Sequence, residues 1–334
     1  MLIAGAGIIG LTCAWRLAQR GLRVEIFDAH NAGCEASWAG AGMLAPGAEI
    51  DGPSEIAESA VRSLKQFPDF IKELEEETKR SIDYRPCGAL ELACTDDEAE
   101  ALTRRGALQA ELGIHSEACS HNGLPARFYP HDAVVDPRDV TGALLAACRR
   151  RGVWIHEGEP VVQVSTSGRA VRTTRGEYRD EGCVIAAGAW SSDLFPRLPQ
   201  TFPVRGHLIG YRMAPGVLDS ILRHRSTYLV QRRSGFLIAG TSTERVGFDR
   251  SIDENTVEDI HRRAGGLLPA LAALRPDEQW IGFRPGIEAE GPAIGRIAGT
   301  WAWTAFGHYR NGILLAPDTA RIIADSVMEA QAQP

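Results

Sequence analysis

Apolar positions along this chain recur with two spacings, and the alternation between them outlines its elements. Leu2-Ile3-Ala4 is a short apolar run, residues 11–20 read as an amphipathic helix closed by Gly21, and residues 23–27 form a second strand ending at Asp28. Residues 54–78 place Ile56, Ala60, Leu64, Phe67, Phe70, Ile71 and Leu74 near one helical face, with charge on the other. Residues 84–93 read as a strand or hairpin, and residues 96–112 as a helix with Asp97 and Glu98 in its first turn. A helix opened by Asp136-Pro137 runs to about Arg151 and stops at Gly152. Strands follow at 153–155, at 160–164 and, after a hairpin around Ser167-Gly168 and Arg175-Gly176, at 183–187. Beyond Pro203 the pattern predicts strands at 203–213 and within 227–240, a helix at 217–223 between them, and a helix over 254–274. A strand at 280–286, a turn at 291–295, a strand at 301–306 and a last helix from Ala316 to about Met328 complete the chain.

The first strand–helix–strand unit carries Gly5-Ala6-Gly7-Ile8-Ile9-Gly10 at its turn, and Asp28 stands eighteen residues after Gly10. Glycines at this spacing make a tight turn and let backbone N–H groups approach a pyrophosphate, while the acid can accept from a ribose hydroxyl. The unit therefore predicts an adenine dinucleotide, FAD or NAD. Only four residues precede Gly5, so the first strand is expected to be short, as though upstream residues were missing. The small residues of Ala36-Ser37-Trp38-Ala39-Gly40-Ala41-Gly42-Met43-Leu44-Ala45-Pro46 suit a backbone close to a flat ligand and equally suit a tight loop under a helix. A strand ending in Ala187-Gly188-Ala189-Trp190 fits either a second approach to the cofactor or a plain core strand.

The predicted class is α/β (α+β overall): a discontinuous Rossmann-like nucleotide-binding domain of residues 1–80, 135–202 and 289–334, with an inserted antiparallel-sheet substrate domain of residues 81–134 and 203–288. The 334 residues are enough for two packed domains, and 44% hydrophobic with 24% charged residues is ordinary globular composition. A net charge of −7 argues against a nucleic-acid surface. No apolar run predicts a signal peptide or a membrane span. The seven cysteines, at 13, 34, 87, 94, 119, 148 and 183, form no CxxC pair or metal-ligand cluster. An odd, scattered set reads as reduced thiols, so a cytoplasmic protein is expected.

Three blocks take the chain beyond a generic dinucleotide fold: 36–46; Phe283-Arg284-Pro285-Gly286 with Gly291-Pro292-Ala293-Ile294-Gly295; and Gly307-His308-Tyr309-Arg310-Asn311-Gly312-Ile313-Leu314-Leu315-Ala316-Pro317. Together and in this order they resemble the glycine oxidase family, of thiamine-biosynthesis type, in the D-amino-acid oxidase group of FAD-dependent amine oxidases. The resemblance implies noncovalent FAD. It places Gly5, Gly7, Ile8, Ile9 and Gly10 at the pyrophosphate, and Asp28 at the adenosine ribose. Ser37, Gly42 and Met43 would lie along the flavin, and Val161, Ala187, Gly188 and Trp190 would bind the cofactor near its adenosine half. Gly307, His308, Arg310, Asn311, Gly312 and Ile313 would meet the pyrimidine edge of the flavin, where a helix N-terminus favours negative charge.

On the substrate side, the resemblance makes Arg284 and Tyr228 the carboxylate-binding pair and Arg310 a second active-site arginine. By themselves the residues leave open a structural ion pair for Arg284 and a core position for Tyr228. The implied reaction is oxidative deamination of glycine or another small amino acid or amine to a 2-oxo acid, ammonia and hydrogen peroxide. The resemblance implies oxygen as the acceptor and no obligatory side-chain base. An FAD-dependent D-amino-acid or sarcosine dehydrogenase with another acceptor, or a noncatalytic nucleotide-binding protein, would share these residues. A homo-oligomer is compatible with the pattern; a nucleic-acid or membrane partner is not expected. Four departures stand out: Gln231 where proline is frequent, His207 where glutamine or glutamate is usual, and Ser226 and Thr243 in place of bulkier residues. Ser226 and Thr243 are expected to face the substrate side chain and leave room for a larger amine.

Overall fold

The structure, a computed structural model, describes residues 1–332. Its centre is a six-stranded sheet in the order Ala293–Arg296, Ala302–Phe306, Cys183–Ile185, Leu2–Ala4, Glu25–Phe27, Trp154–His156. The five strands from Ala302–Phe306 to Trp154–His156 are parallel, and Ala293–Arg296 is antiparallel to its neighbour. These strands lack a polar–apolar alternation because both faces are covered. Ile3, Ile26, Val184, Trp303 and Ala305 pack in one core with residues of the helices Ile8–Gln19, Glu55–Thr78, Pro137–Arg150 and Gly312–Ala332. Leu2, Ala4, Phe27, Cys183, Ile185, Ala302 and Phe306 point the other way, against Val164 and Val171 of the meander Val161–Val164, Ala170–Thr173, Glu177–Arg179.

A second sheet of eight strands runs Glu278–Ile287, Thr201–Arg212, Phe236–Gly240, Thr227–Gln231, Ile221–His224, Ala89–Leu92, Leu124–Tyr129, Glu117–His121. Here parity decides what faces what. Ile209, Tyr211, Leu229, Leu237 and Ala239 pack under Val257, Ile260 and Ala264 of the helix Glu254–Leu267. The alternate positions Leu208, Tyr228, Val230, Ile238 and Trp280 join the core shared with the first sheet. A small sheet of Met43–Leu44, Ala133–Val135 and Tyr84–Arg85 completes the set.

The pattern-based elements differ from these at several places. Residues 217–223 form no helix. Ile221–His224 is a strand between Thr227–Gln231 and Ala89–Leu92, and the amide of Gln231 takes the N–H groups of Val217 and Leu218 at 2.9 and 3.0 Å. Residues 84–93 are not a hairpin, because Tyr84–Arg85 pairs with Ala133–Val135 whereas Ala89–Leu92 joins the large sheet. The segment 291–295 is not a free turn: Ala293–Arg296 pairs with Ala302–Phe306. The last helix begins at Gly312, four residues before Ala316, and carries Pro317 in its interior, where the missing N–H leaves the carbonyl of Ile313 without its helical donor. Among the described residues no helix is long and apolar enough to cross a membrane.

Candidate active site

The parallel strands Leu2–Ala4, Glu25–Phe27, Cys183–Ile185 and Ala302–Phe306 deliver Gly5, Asp28, Ala186 and Gly307 to one edge of their sheet, and all four line a cavity of about 570 Å³. Crevices at the carboxyl ends of parallel strands are where α/β sheets bind ligands. The cavity continues to the second sheet, where Gly206, Leu208, Tyr228, Gly282 and Arg284 form its far wall.

Of the residues singled out from the sequence, Gly5, Gly7, Ile8, Ile9, Asp28, Ser37, Gly42, Met43, Val161, Ala187, Gly188 and Trp190 line this one cavity. So do Tyr228, Arg284, Gly307, His308, Arg310, Asn311, Gly312 and Ile313. Gly10 does not. A Cβ there would lie 1.9 Å from the carbonyl oxygen of Gly5, so this glycine lets the first helix press onto the strand end rather than meeting a ligand.

The geometry fits a long dinucleotide. The helix Ile8–Gln19 begins at the cavity with its first N–H groups unable to bond within the helix. Ser37 Oγ accepts from Ile8 N–H at 2.9 Å and ties the 36–46 segment to that helix start. The Asp28 carboxylate accepts from the backbone of Ala6 at 2.7 Å and His30 at 2.9 Å. Burial nevertheless holds its pKa above the usual carboxylate range, the two N–H bonds opposing the shift. Gly42 has φ +85° and its Cβ would fall 1.9 Å from the carbonyl oxygen of Val135, so the chain there admits no side chain. At the opposite end the N-terminus of the 21-residue helix Gly312–Ala332 faces the cavity through Asn311, Gly312 and Ile313. Fixed N–H dipoles at two helix starts and a cradle of small residues suit a ligand with a pyrophosphate at one point and an electron-rich ring at another.

On the far wall, Arg284 Nη2 donates to Thr241 Oγ1 at 2.7 Å and Nη1 to the carbonyl of Ser242 at 3.1 Å. Among the described residues no carboxylate lies within ion-pair distance of it, and burial lowers its pKa. A Cβ on Gly206 would sit 2.4 Å from both terminal guanidinium nitrogens, so the glycine supplies the space that the guanidinium occupies. Tyr228 is buried beside it. Desolvation raises the phenol pKa against the pull of Arg284 and Arg310, which keeps the hydroxyl a donor. Arg310 is set differently, with Nε 3.1 Å from Glu49 Oε1. His308 is buried, its Nε2 3.0 Å from Thr319 Oγ1, and burial lowers its pKa to about 3. At neutral pH it is an uncharged imidazole bonded to the last helix through Thr319.

The expectation for Ser226 and Thr243 is overturned. Both are exposed and neither lines the cavity. Ser226 sits in the turn before Thr227–Gln231, where its Oγ accepts from Arg263, so it faces outward rather than toward a substrate. The other two departures are structural. Gln231 accepts from Val217 and Leu218 and donates to the carbonyls of Ala214 and Gly235, an amide role that proline could not fill. His207 is buried, 2.9 Å from Glu244 through Nδ1, while Nε2 accepts from the backbone of Asp253. Sequence reasoning missed Glu49, Gly206, Phe248 and Arg250 as cavity residues. Phe248 stacks on Trp190 at 4.7 Å and Arg250 reaches Glu35 at 2.7 Å. Glu49, Gly206 and the Phe248–Arg250 pair lie far apart in the chain with no motif around them.

The chain matches the FAD dependent oxidoreductase family over residues 1–326. It is 32% identical over 340 residues to a glycine oxidase of Bacillus licheniformis, spanning 98% of this chain and 92% of the relative. It is 34% identical over 345 residues to the bifunctional protein ThiO/ThiG of Synechocystis, covering all of this chain but about half (52%) of that relative's length. The crystal structure of glycine oxidase from Geobacillus kaustophilus superposes with a TM-score of 0.94 at 30% identity, covering 98% of this chain and 94% of the other.

Proposed function

The chain belongs to the FAD dependent oxidoreductase family, and from that premise we propose that it oxidises the amine of glycine or of another small amino acid, yielding a 2-oxo acid, ammonia and, with oxygen as acceptor, hydrogen peroxide. The observation that carries this reading is Arg284: a half-buried guanidinium lining the cavity, oriented by Thr241 and Ser242, with no carboxylate of its own among the described residues. A buried charge without a counter-ion is costly, and a substrate carboxylate relieves that cost while gaining bidentate geometry. The protonated Tyr228 hydroxyl adds a second donor. With its carboxylate anchored there, an amino acid presents its α-carbon to the centre of the cavity, and positioning replaces a general base.

Bound FAD supplies the two-electron acceptor. Gly5, Gly7, Ile8, Ile9 and the Ser37–Met43 segment would hold it through backbone N–H groups and close approach. Asp28 would accept from its ribose, and the Gly307–Ile313 turn would offer the second helix start. In this reading residues 1–80, 135–202 and 289–334 form the cofactor domain, and residues 81–134 and 203–288 the substrate domain. The neutral His308 stays out of proton transfer.

The test is anaerobic reduction of the purified flavoprotein by glycine, sarcosine, D-alanine, D-proline and larger amines. Bleaching of the flavin by at least one amino acid is expected, with peroxide formed on admission of air. A flavin left oxidised by the whole panel would overturn the reading, whereas bleaching without peroxide would replace oxygen by another acceptor.

A further inference from the structure

Two arginines line the substrate end of the cavity, and among the described residues only Arg310 has a carboxylate partner, leaving Arg284 to meet an anion. Arg310 is paired with Glu49 at 3.1 Å, the carboxylate 17% exposed and the guanidinium 30% exposed. Glu49 follows directly from the 36–46 segment, within the short helix Pro46–Glu49, so it reaches the cavity from the cofactor side while Arg284 reaches it from the large sheet. Both charges of the pair act on the same small space: Arg310 and Glu49 each perturb Arg284 and Tyr228. The other charged cavity residues are engaged elsewhere. Asp28 holds two backbone N–H groups, and Glu35 is paired with Arg250. Two cations and one anion around the substrate space leave a single uncompensated positive charge.

Resting on the amino-acid reading above, we propose that Glu49 is a specificity-determining residue: by masking Arg310 it limits the substrate to one carboxylate and disfavours amines that carry a second. A dicarboxylic amine, with its first carboxylate on Arg284, meets either the Glu49 carboxylate, which repels it, or Arg310, which it reaches only by displacing Glu49. Removing the charge of Glu49 leaves Arg310 open to the second carboxylate. A partly exposed ion pair of this kind is weak, so the selectivity ratio should shift by about fivefold.

Two matched pairs test this: the non-oxidisable acids acetate and malonate, titrated by perturbation of the flavin spectrum, and the substrates D-alanine and D-aspartate, compared by kcat/KM. Glu49→Gln is expected to raise the malonate-to-acetate affinity ratio and the D-aspartate-to-D-alanine efficiency ratio. Glu49→Asp, which keeps the charge, should leave both near wild type, and Glu49→Gln combined with Arg310→Gln should abolish the gain. Ratios unmoved in Glu49→Gln, or a gain that survives loss of Arg310, would overturn the proposal. Because the acid titration needs no turnover, it separates the two readings. A shifted ratio in a protein that no amine reduces would remove the oxidase reading and leave this one standing. Amine oxidation with an unshifted ratio would do the reverse.

Discussion

Arg284 and Arg310 carry the same group into the same cavity in opposite electrostatic settings. Arg284 lies within the ten-residue strand Glu278–Ile287, and its neighbours offer only a hydroxyl and a carbonyl oxygen. Arg310 lies in the turn before the last helix and has a carboxylate at 3.1 Å. The first is an incomplete ion pair held rigid by a sheet, and the second is a complete one held by a turn. A site that must capture one anion and refuse others can be built from this asymmetry, with no difference in residue type.

Replacing Arg284 gives the widest separation between the two. Arg284→Ala should lower kcat/KM for an amino acid by on the order of a hundred- to a thousandfold, as expected when one partner of a buried charge pair is lost. Bound flavin, read from its absorbance, should stay stoichiometric; unchanged kinetics would remove Arg284 from the site. A smaller step leaves the arginine in place and takes away its room. The Cβ of Gly206→Ala would stand 2.4 Å from the guanidinium, so KM should rise by on the order of tenfold while the flavin spectrum is kept. A normal KM would mean that the guanidinium does not need its present position. Arg310→Ala should cost a one-carboxylate substrate less than about fivefold, because that charge is already partnered at a partly exposed position. A loss matching that of Arg284→Ala would erase the contrast.

The smallest effect concerns His308, on the same wall as Arg310. Its pKa is lowered from 6.5 to about 3 by burial, so the unfolded chain takes up a proton before the folded one does. Folding stability should therefore fall as pH drops from about 6.5 toward 3, and rise again on the way back. His308→Gln, which can still bond to Thr319, should flatten that slope in urea unfolding measured at pH 7 and pH 5. A slope as steep as wild type would assign the acid sensitivity to other groups.

The elements that the hydrophobic pattern identified are those whose signal is local. The helix over residues 54–78 appears as Glu55–Thr78, capped by Ser54 Oγ accepting from Ala57 N–H, and its apolar stripe supplies the buried Phe67, Phe70, Ile71 and Leu74. The glycine-rich turn sits where its spacing places it. The misread strand at Ile221–His224 shows the limit. Leu218-Asp219-Ser220-Ile221-Leu222-Arg223 fits a short helix, and only pairing on both edges makes Ile221–His224 extended. The hairpin of Glu117–His121 and Leu124–Tyr129 is absent from the pattern-based elements: its Asn122-Gly123 turn, both residues having positive φ, is a hairpin signal, but its first strand is exposed and lacks apolar alternation.

The sequence by itself determined the cofactor edge of this protein, since a glycine turn, an acid at the end of the next strand and a helix start after residue 307 act through short-range backbone geometry. It also marked Arg284, Tyr228 and Arg310 through the motifs around them. Only the tertiary structure decided which charge is free. Glu49 and Arg310 are 261 residues apart in the chain, Arg284 and the Thr241 that orients it are 43 apart, and these contacts depend on distance in space. The same applies to Ser226 and Thr243, which lie exposed beyond the ends of the strands Thr227–Gln231 and Phe236–Gly240 and outside the cavity. Residue type supplied the available charges, and packing chose which of them a substrate can meet.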